Sequence, residues 1–137
     1  MKPADAKANR PLSPHLQIYK PIPTMVMSIM HRITGAALYF GTLLLAWWLI
    51  GAATGEAYFN YVNDFLSSII GRLILFGYTW ALIHHALGGI RHFMWDLGYG
   101  FDKHFSTKLA YATIIGSVSL TLLLWVVGYR ILGHSIF

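Results

Sequence analysis

The sequence predicts an all-α integral membrane protein with three transmembrane helices and an extended N-terminal arm. Composition is the first reason. Of 137 residues, 56% are hydrophobic and only 11% charged, and the mean hydropathy is +0.55. An ordinary soluble domain carries roughly 25% charged residues, so this chain has too few charges to cover a water-facing surface. The second reason is that three apolar stretches each reach the length of about 20 helical residues needed to cross a hydrocarbon core about 30 Å thick. The third is that the basic residues sit at the ends of those stretches. No basic face is gathered for a nucleic acid, despite a pI near 9.6 and a net charge of +5. With no cysteine, the chain itself offers no disulfide, thiolate zinc site or cysteine-ligated iron–sulfur cluster.

The length suits a single membrane-anchor domain over 1–137. It opens with an arm over 1–24, in which Pro3, Pro11, Pro14, Pro21 and Pro23 favour extended backbone. The arm has no apolar core before a small-residue cleavage site, so it does not read as a signal peptide. A mitochondrial presequence would be rich in Arg and free of acids, and Asp5 argues against that. A bacterial chain is therefore expected. The spans follow at about 25–53, 65–94 and 109–132. Gly55-Glu56-Ala57-Tyr58-Phe59-Asn60 separates the first two, and Gly98-Tyr99-Gly100-Phe101-Asp102-Lys103-His104 precedes the third.

Eight of the ten Lys and Arg fall on one side of this arrangement. Lys2, Lys7, Arg10, Lys20 and Arg32 lie in the arm and first-helix entrance, and Arg91, Lys103 and Lys108 in the second connection. Arg72 and Arg130 lie opposite, near helix ends where long side chains snorkel. The positive-inside rule then puts the N-terminus and the second connection in the cytoplasm and the C-terminus outside. With the bacterial reading, a multi-pass protein of the inner (cytoplasmic) membrane is expected.

Ionisable residues at membrane depth are costly, and the second span concentrates them. His85 lies seven residues in from His92, roughly 10 Å at about 1.5 Å per residue. His85, Gly88, Gly89 and His92 share a helical face, and the glycines leave a recess flat enough for a porphyrin. The bland alternative is a histidine bonded to a neighbouring helix, with glycines that only ease close packing. His84 competes with His85: it lies about 100° round the helix, with Gly88 and Arg91 on its own face. Composition does not choose between them. None of the other histidines is placed on a facing helix at the depth of His85, so a second axial ligand is expected from another subunit.

At the first span's entrance, Ser28 and Arg32 are one turn apart, and Gly35 and Tyr39 continue their stripe. A hydroxyl beside a permanent cation makes a donor pair for the carbonyl of a lipid-soluble ligand. His31 projects to an adjacent face, where it could meet a carboxylate. The competing explanations are topological: an Arg suits a cytoplasmic helix end, and Ser28 could be a cap.

Taken together, two segments resemble a known family, the cytochrome b556 membrane-anchor subunits of succinate dehydrogenase (succinate:quinone oxidoreductase, respiratory complex II). One runs from Arg10-Pro11-Leu12-Ser13-Pro14-His15-Leu16 through Ser28-Ile29-Met30-His31-Arg32-Ile33-Thr34-Gly35. It is similar to the family's Arg-Pro arm followed by Ser-x-x-His-Arg-x-Ser/Thr. The other, His85-Ala86-Leu87-Gly88-Gly89-Ile90-Arg91-His92-Phe93-Met94-Trp95-Asp96-Leu97-Gly98, resembles the family's His-x3-Gly-Ile-Arg-His segment. The likeness extends over about residues 9–133.

The resemblance implies that His85 is an axial ligand of haem b, shared with a second membrane-anchor subunit that supplies the other ligand. It implies that Ser28 and Arg32 form part of a ubiquinone site. It places His31, Arg32, Arg91, His92 and Asp96 at the haem propionates and the polar cytoplasmic edge, and leaves His84 to packing. Partners implied are a flavoprotein subunit that oxidises succinate, an iron–sulfur subunit that relays electrons, and the lipid bilayer. Arg32 does not titrate usefully and is not a proton donor; its expected role is to stabilise negative charge developing on a quinone oxygen. Two rival classes remain. A proton-coupled transporter is disfavoured by the lack of an inverted repeat or mid-helix break. A cofactor-free anchor would tolerate loss of Ser28 and Arg32.

Overall fold

The computed structural model describes residues 19–132. The part of the arm over 1–18 lies outside the described residues, as do 133–137. The described residues contain four helices: α1 (Pro23–Thr54), α2 (Glu56–Ser67), α3 (Ile69–Asp96) and α4 (Lys103–Leu132). Of these, α1, α3 and α4 are long and apolar enough to cross a membrane. α3 is central, packing against α1, α2 and α4, and α1 also touches α2 and α4.

The spans hold, with their boundaries shifted for identifiable reasons. Pro23 starts α1 two residues early, because proline suits a helix's first turn, where an amide has no partner to lose. The connection after α1 is a short helix rather than a plain break. Gly55, at φ 134°, turns the chain out of α1 and into α2. The expected second span ran unbroken from Phe65, but Phe65–Ser67 belong to α2. Ser68 ends that run by capping α3: its hydroxyl accepts from the Gly71 amide at 3.1 Å. A side chain at Gly71 would meet the backbone of Phe65 and Leu66, so this corner requires a bare residue. α4 begins six residues earlier than expected, at Lys103, because Asp102 Oδ1 accepts the Phe105 amide at 2.9 Å.

Interior and exterior are inverted relative to a water-soluble protein. Large apolar side chains such as Phe40, Leu43, Ile70, Leu73 and Leu123 face outward, as lipid-facing residues do. The largest fully buried side chains among the described residues are His84, Val62, Thr34, Thr121 and Ser117. Lipid tails are as apolar as leucine, so helices in a bilayer associate through small residues that allow close approach and through polar contacts. The seams follow that rule. α1 buries Met27, Thr34 and Gly41 at seven-residue spacing; α3 buries Ala81, His84, Gly88 and Arg91; α4 buries Ala110, Thr113, Ser117 and Thr121. Thr113, Ser117 and Thr121 donate their hydroxyls to carbonyls three or four residues back, at 2.7–3.0 Å, so none is an uncompensated polar group.

α2 closes the opposite end from the α3–α4 connection. Val62 packs against Gly51 of α1, Trp48 Nε1 donates to Asn63 Oδ1 at 3.2 Å, and Trp47 Nε1 donates to the Tyr58 hydroxyl at 3.0 Å. Trp47, Tyr58, Tyr61 and Phe65 contact one another as an aromatic group at this end, where tryptophan and tyrosine suit a membrane–water boundary. The antiparallel order of spans brings the α1 entrance beside the α3–α4 connection. Lys20, Arg32, Arg91, Lys103 and Lys108 therefore share one end, as expected.

Candidate functional site

At that basic end, α1 and α3 bring His31 and His85 together. Their rings stack with centroids 3.9 Å apart and planes 21° from parallel. His85 Nδ1 lies 3.1 Å from the His31 carbonyl oxygen and 3.3 Å from Thr34 Oγ1. A carbonyl only accepts, so Nδ1 carries the hydrogen and donates, leaving Nε2 of neutral His85 with its lone pair. Gly35 presents bare backbone to this ring: a Cβ there would lie 3.0 Å from His85 Cε1. His85 is half-buried.

His84 points elsewhere. Its side chain is 2% exposed, and its Nδ1 lies 3.0 Å from Ser117 Oγ on α4. Ser117 gives its own hydrogen to the Ile114 carbonyl, so His84 is the donor in this pair. Trp80 lies beside the ring at 5.1 Å between centroids. Gly88 belongs to the same packed seam as His84 and Arg91. The expected recess beside His85 is thus different in detail. At Gly88 the space is filled by the His31 imidazole, which a Cβ would strike, whereas Gly89 has nothing within 4 Å of an added Cβ.

The expectation that no other histidine would face His85 from a neighbouring helix is corrected by His31 of α1, whose ring stacks on that of His85 because it turns into the α1–α3 seam. The His31 ring turns inward over Gly88 and lies 5.0 Å from His92. Its Nε2 is buried without a hydrogen-bond partner among the described residues. Arg91 is in the same condition: the residue is 3% exposed, and its Nε and Nη1 have no partner among the described residues. The guanidinium lies over Trp95 at 5.0 Å, and Trp95 in turn meets the edge of His92 at 5.1 Å. Trp95 Nε1 donates to the Gly100 carbonyl at 3.2 Å. His92 and Asp96 are exposed at the end of α3.

A buried cation with open donors is costly unless an anion or acceptor completes it. This end of the helix pair therefore suits a ligand carrying negative charge. Among the described residues no group of three or more His, Cys, Asp or Glu is arranged to hold a metal ion. A macrocycle that brings its own equatorial nitrogens needs only an axial imidazole, and His85 Nε2 has the required lone pair. Ser28 and Arg32 are both exposed, outside the packed seam. They and the His85 cluster lie toward the same end of α1.

The chain matches the family described as Succinate dehydrogenase/Fumarate reductase transmembrane subunit over residues 6–124. It belongs to that family. Among its relatives, the succinate dehydrogenase cytochrome b556 subunit of Paracoccus denitrificans is 44% identical over 121 residues, covering 88% of this chain and 93% of that protein. The subunit of the same name from Rickettsia prowazekii (strain Madrid E) is 41% identical over 117 residues, covering 85% of this chain and 91% of that protein. A human relative, the mitochondrial succinate dehydrogenase cytochrome b560 subunit, is 41% identical over 95 residues, covering 68% of this chain and 56% of that protein. The chain is thus a multi-pass transmembrane subunit of the succinate dehydrogenase type. The family match spans both motifs singled out in the sequence.

Thr34 and Gly35 contact the His85 ring, although neither motif alone assigned them a role. Their signal was present: they end the same segment as Ser28, His31 and Arg32. Helical spacing alone says only that they could face a neighbour.

Proposed function

We propose that this chain is a membrane-anchor subunit of succinate:quinone oxidoreductase. In this reading it binds haem b through His85, with a second anchor subunit supplying the other axial ligand, and forms part of the ubiquinone-reduction site. It is a single anchor domain in a bacterial inner membrane, with its N-terminus cytoplasmic. The observation that carries this is the environment of His85. Its Nδ1 is held as a donor by the His31 carbonyl at 3.1 Å, so Nε2 is the free ligating atom. His84, by contrast, is buried against Ser117.

Bound there, haem b would supply a one-electron redox centre. The residues around it orient and compensate. His31 covers one face of the His85 ring. Arg91 offers buried donors of the kind that propionate carboxylates complete, beside the unpartnered Nε2 of His31, with His92 and Asp96 forming the polar rim. Ser28 and Arg32 project from the outer surface of α1, where a flat hydrophobic quinone arriving from the bilayer could meet them. Ser28 donates a hydrogen bond to a quinone carbonyl, and Arg32 stabilises the negative charge that builds on that oxygen during reduction. Neither donates the proton by titrating. The chain has no cysteine to ligate the iron–sulfur clusters, so the electrons reach the quinone from iron–sulfur and flavoprotein partners.

The test is a reduced-minus-oxidised spectrum of the purified complex together with succinate–quinone and succinate–dye activities. His85→Ala should abolish the b-type band while His84→Ala keeps it; a band that survives His85→Ala reassigns the ligand. Arg32→Leu should lower quinone reduction by about 10²–10³-fold, the usual cost of one preorganised donor, with succinate–dye activity intact. Undiminished quinone reduction would remove Arg32 from the site.

A further inference from the structure

The geometry points to Thr34 as the positioning residue that orients the His85 imidazole and tunes the basicity of its ligating nitrogen. This rests on the proposed role of His85 as haem ligand. Thr34 is 1% exposed, the most deeply buried side chain on α1 among those described, and it faces α3. Its hydroxyl has one proton and two lone pairs. The proton is directed back along α1, to the Met30 carbonyl at 2.9 Å with the His31 carbonyl at 3.1 Å. A lone pair is thereby left toward His85 Nδ1, at 3.3 Å. The Nδ1 hydrogen thus has two acceptors, Thr34 Oγ1 and the His31 carbonyl at 3.1 Å.

These contacts fix three aspects of the ring. The acceptors on one edge determine its tautomer. The His31 ring, 3.9 Å away, restricts its tilt, and bare backbone at Gly35, where a Cβ would lie 3.0 Å from Cε1, lets the edge approach α1. An acceptor on the far nitrogen of a metal-bound imidazole increases the basicity of the ligating one, and losing such a partner typically lowers metal affinity about 10–100-fold. A more basic ligand favours the oxidised metal. Removing Oγ1 should therefore weaken ferric haem binding more than ferrous and raise the midpoint potential. A tenfold preferential loss corresponds to a rise of about 59 mV for one electron.

The experiment compares native, Thr34→Val and Thr34→Ser complexes by haem content per flavin and by redox titration of the b-type band. Val should raise the potential, and Ser, which keeps the hydroxyl, should restore it. Should Val assemble poorly, Thr34→Ala carries the same comparison because it only removes atoms. A potential unchanged or lowered in the hydroxyl-free variant, or one not restored by Ser, overturns the inference. His85→Ala is measured alongside: a retained band there removes the ligand assignment and this inference with it. A lost band with a native potential in Thr34→Val removes the inference alone.

Discussion

Replacing Gly88 by alanine tests whether the His31–His85 pair is a packed unit. The added Cβ would overlap His31 Cδ2 and stand 3.3 Å from its Nε2 and 3.5 Å from its Cγ. The ring is in its way, so the imidazole has to turn off its favoured rotamer, at about 0.5–1.5 kcal/mol. Turning also breaks the stack on His85 at 3.9 Å, an interaction on the scale of about 0.5–1.5 kcal/mol for aromatic pairs. The combined loss falls in the range of about 1–3 kcal/mol found when a methylene is forced into a packed interior. That is about 5–150-fold in the ratio of folded to unfolded protein. Gly77→Ala on the same helix is the control. Nothing lies within 4 Å of a Cβ there, and alanine gains up to about 1 kcal/mol of helix propensity. Equilibrium unfolding of the purified complexes in mixed micelles should separate the two variants. If Gly88→Ala proves as stable as Gly77→Ala, the packing of His31 over Gly88 is not as described.

Two further outcomes follow from the packing and caps. Ser117→Ala should destabilise the α3–α4 contact by about 1–3 kcal/mol, because the buried His84 Nδ1–H loses its acceptor at 3.0 Å; the same unfolding titration reads it, and a neutral result would mean that His84 finds another partner. The Asp102 carboxyl, accepting the Phe105 amide, is held below its ordinary value of 3.8. Its contribution at the start of α4 should be fully present above the ordinary value and lost as pH falls through the lower folded one. An NMR titration of the Phe105 amide in micelles should then show a midpoint below 3.8, and a midpoint at or above that value contradicts the cap.

Helix ends and ring partners were legible to different degrees. The apolar runs of α1, α3 and α4 announce themselves, because spanning a bilayer needs length and hydrophobicity, which are local properties, whereas Pro23, read as part of the extended arm, starts α1. Ser68 and Asp102 are caps that a hydrophobic run conceals: hydropathy averages over a single polar residue, whereas a helix boundary depends on one side chain meeting one amide. For the histidines, helical spacing narrowed the choice to adjacent residues about 100° apart, and only the resemblance to a family favoured His85. Helical phase relates residues within one helix; it does not say which neighbour each face meets.

What the sequence by itself determined is the class of molecule: three spans, a basic end, and histidines, an arginine and a serine gathered at that end. These follow from the cost of charge and bare backbone in hydrocarbon, which each segment meets on its own. What only the tertiary structure decided is the pairing. His84 meets Ser117, His85 meets the His31 carbonyl and Thr34, and Gly88 makes room for a ring from another helix. Those contacts depend on the rotation and offset of one helix against the next, set by small-residue seams spread over the helix length, which no single motif encodes.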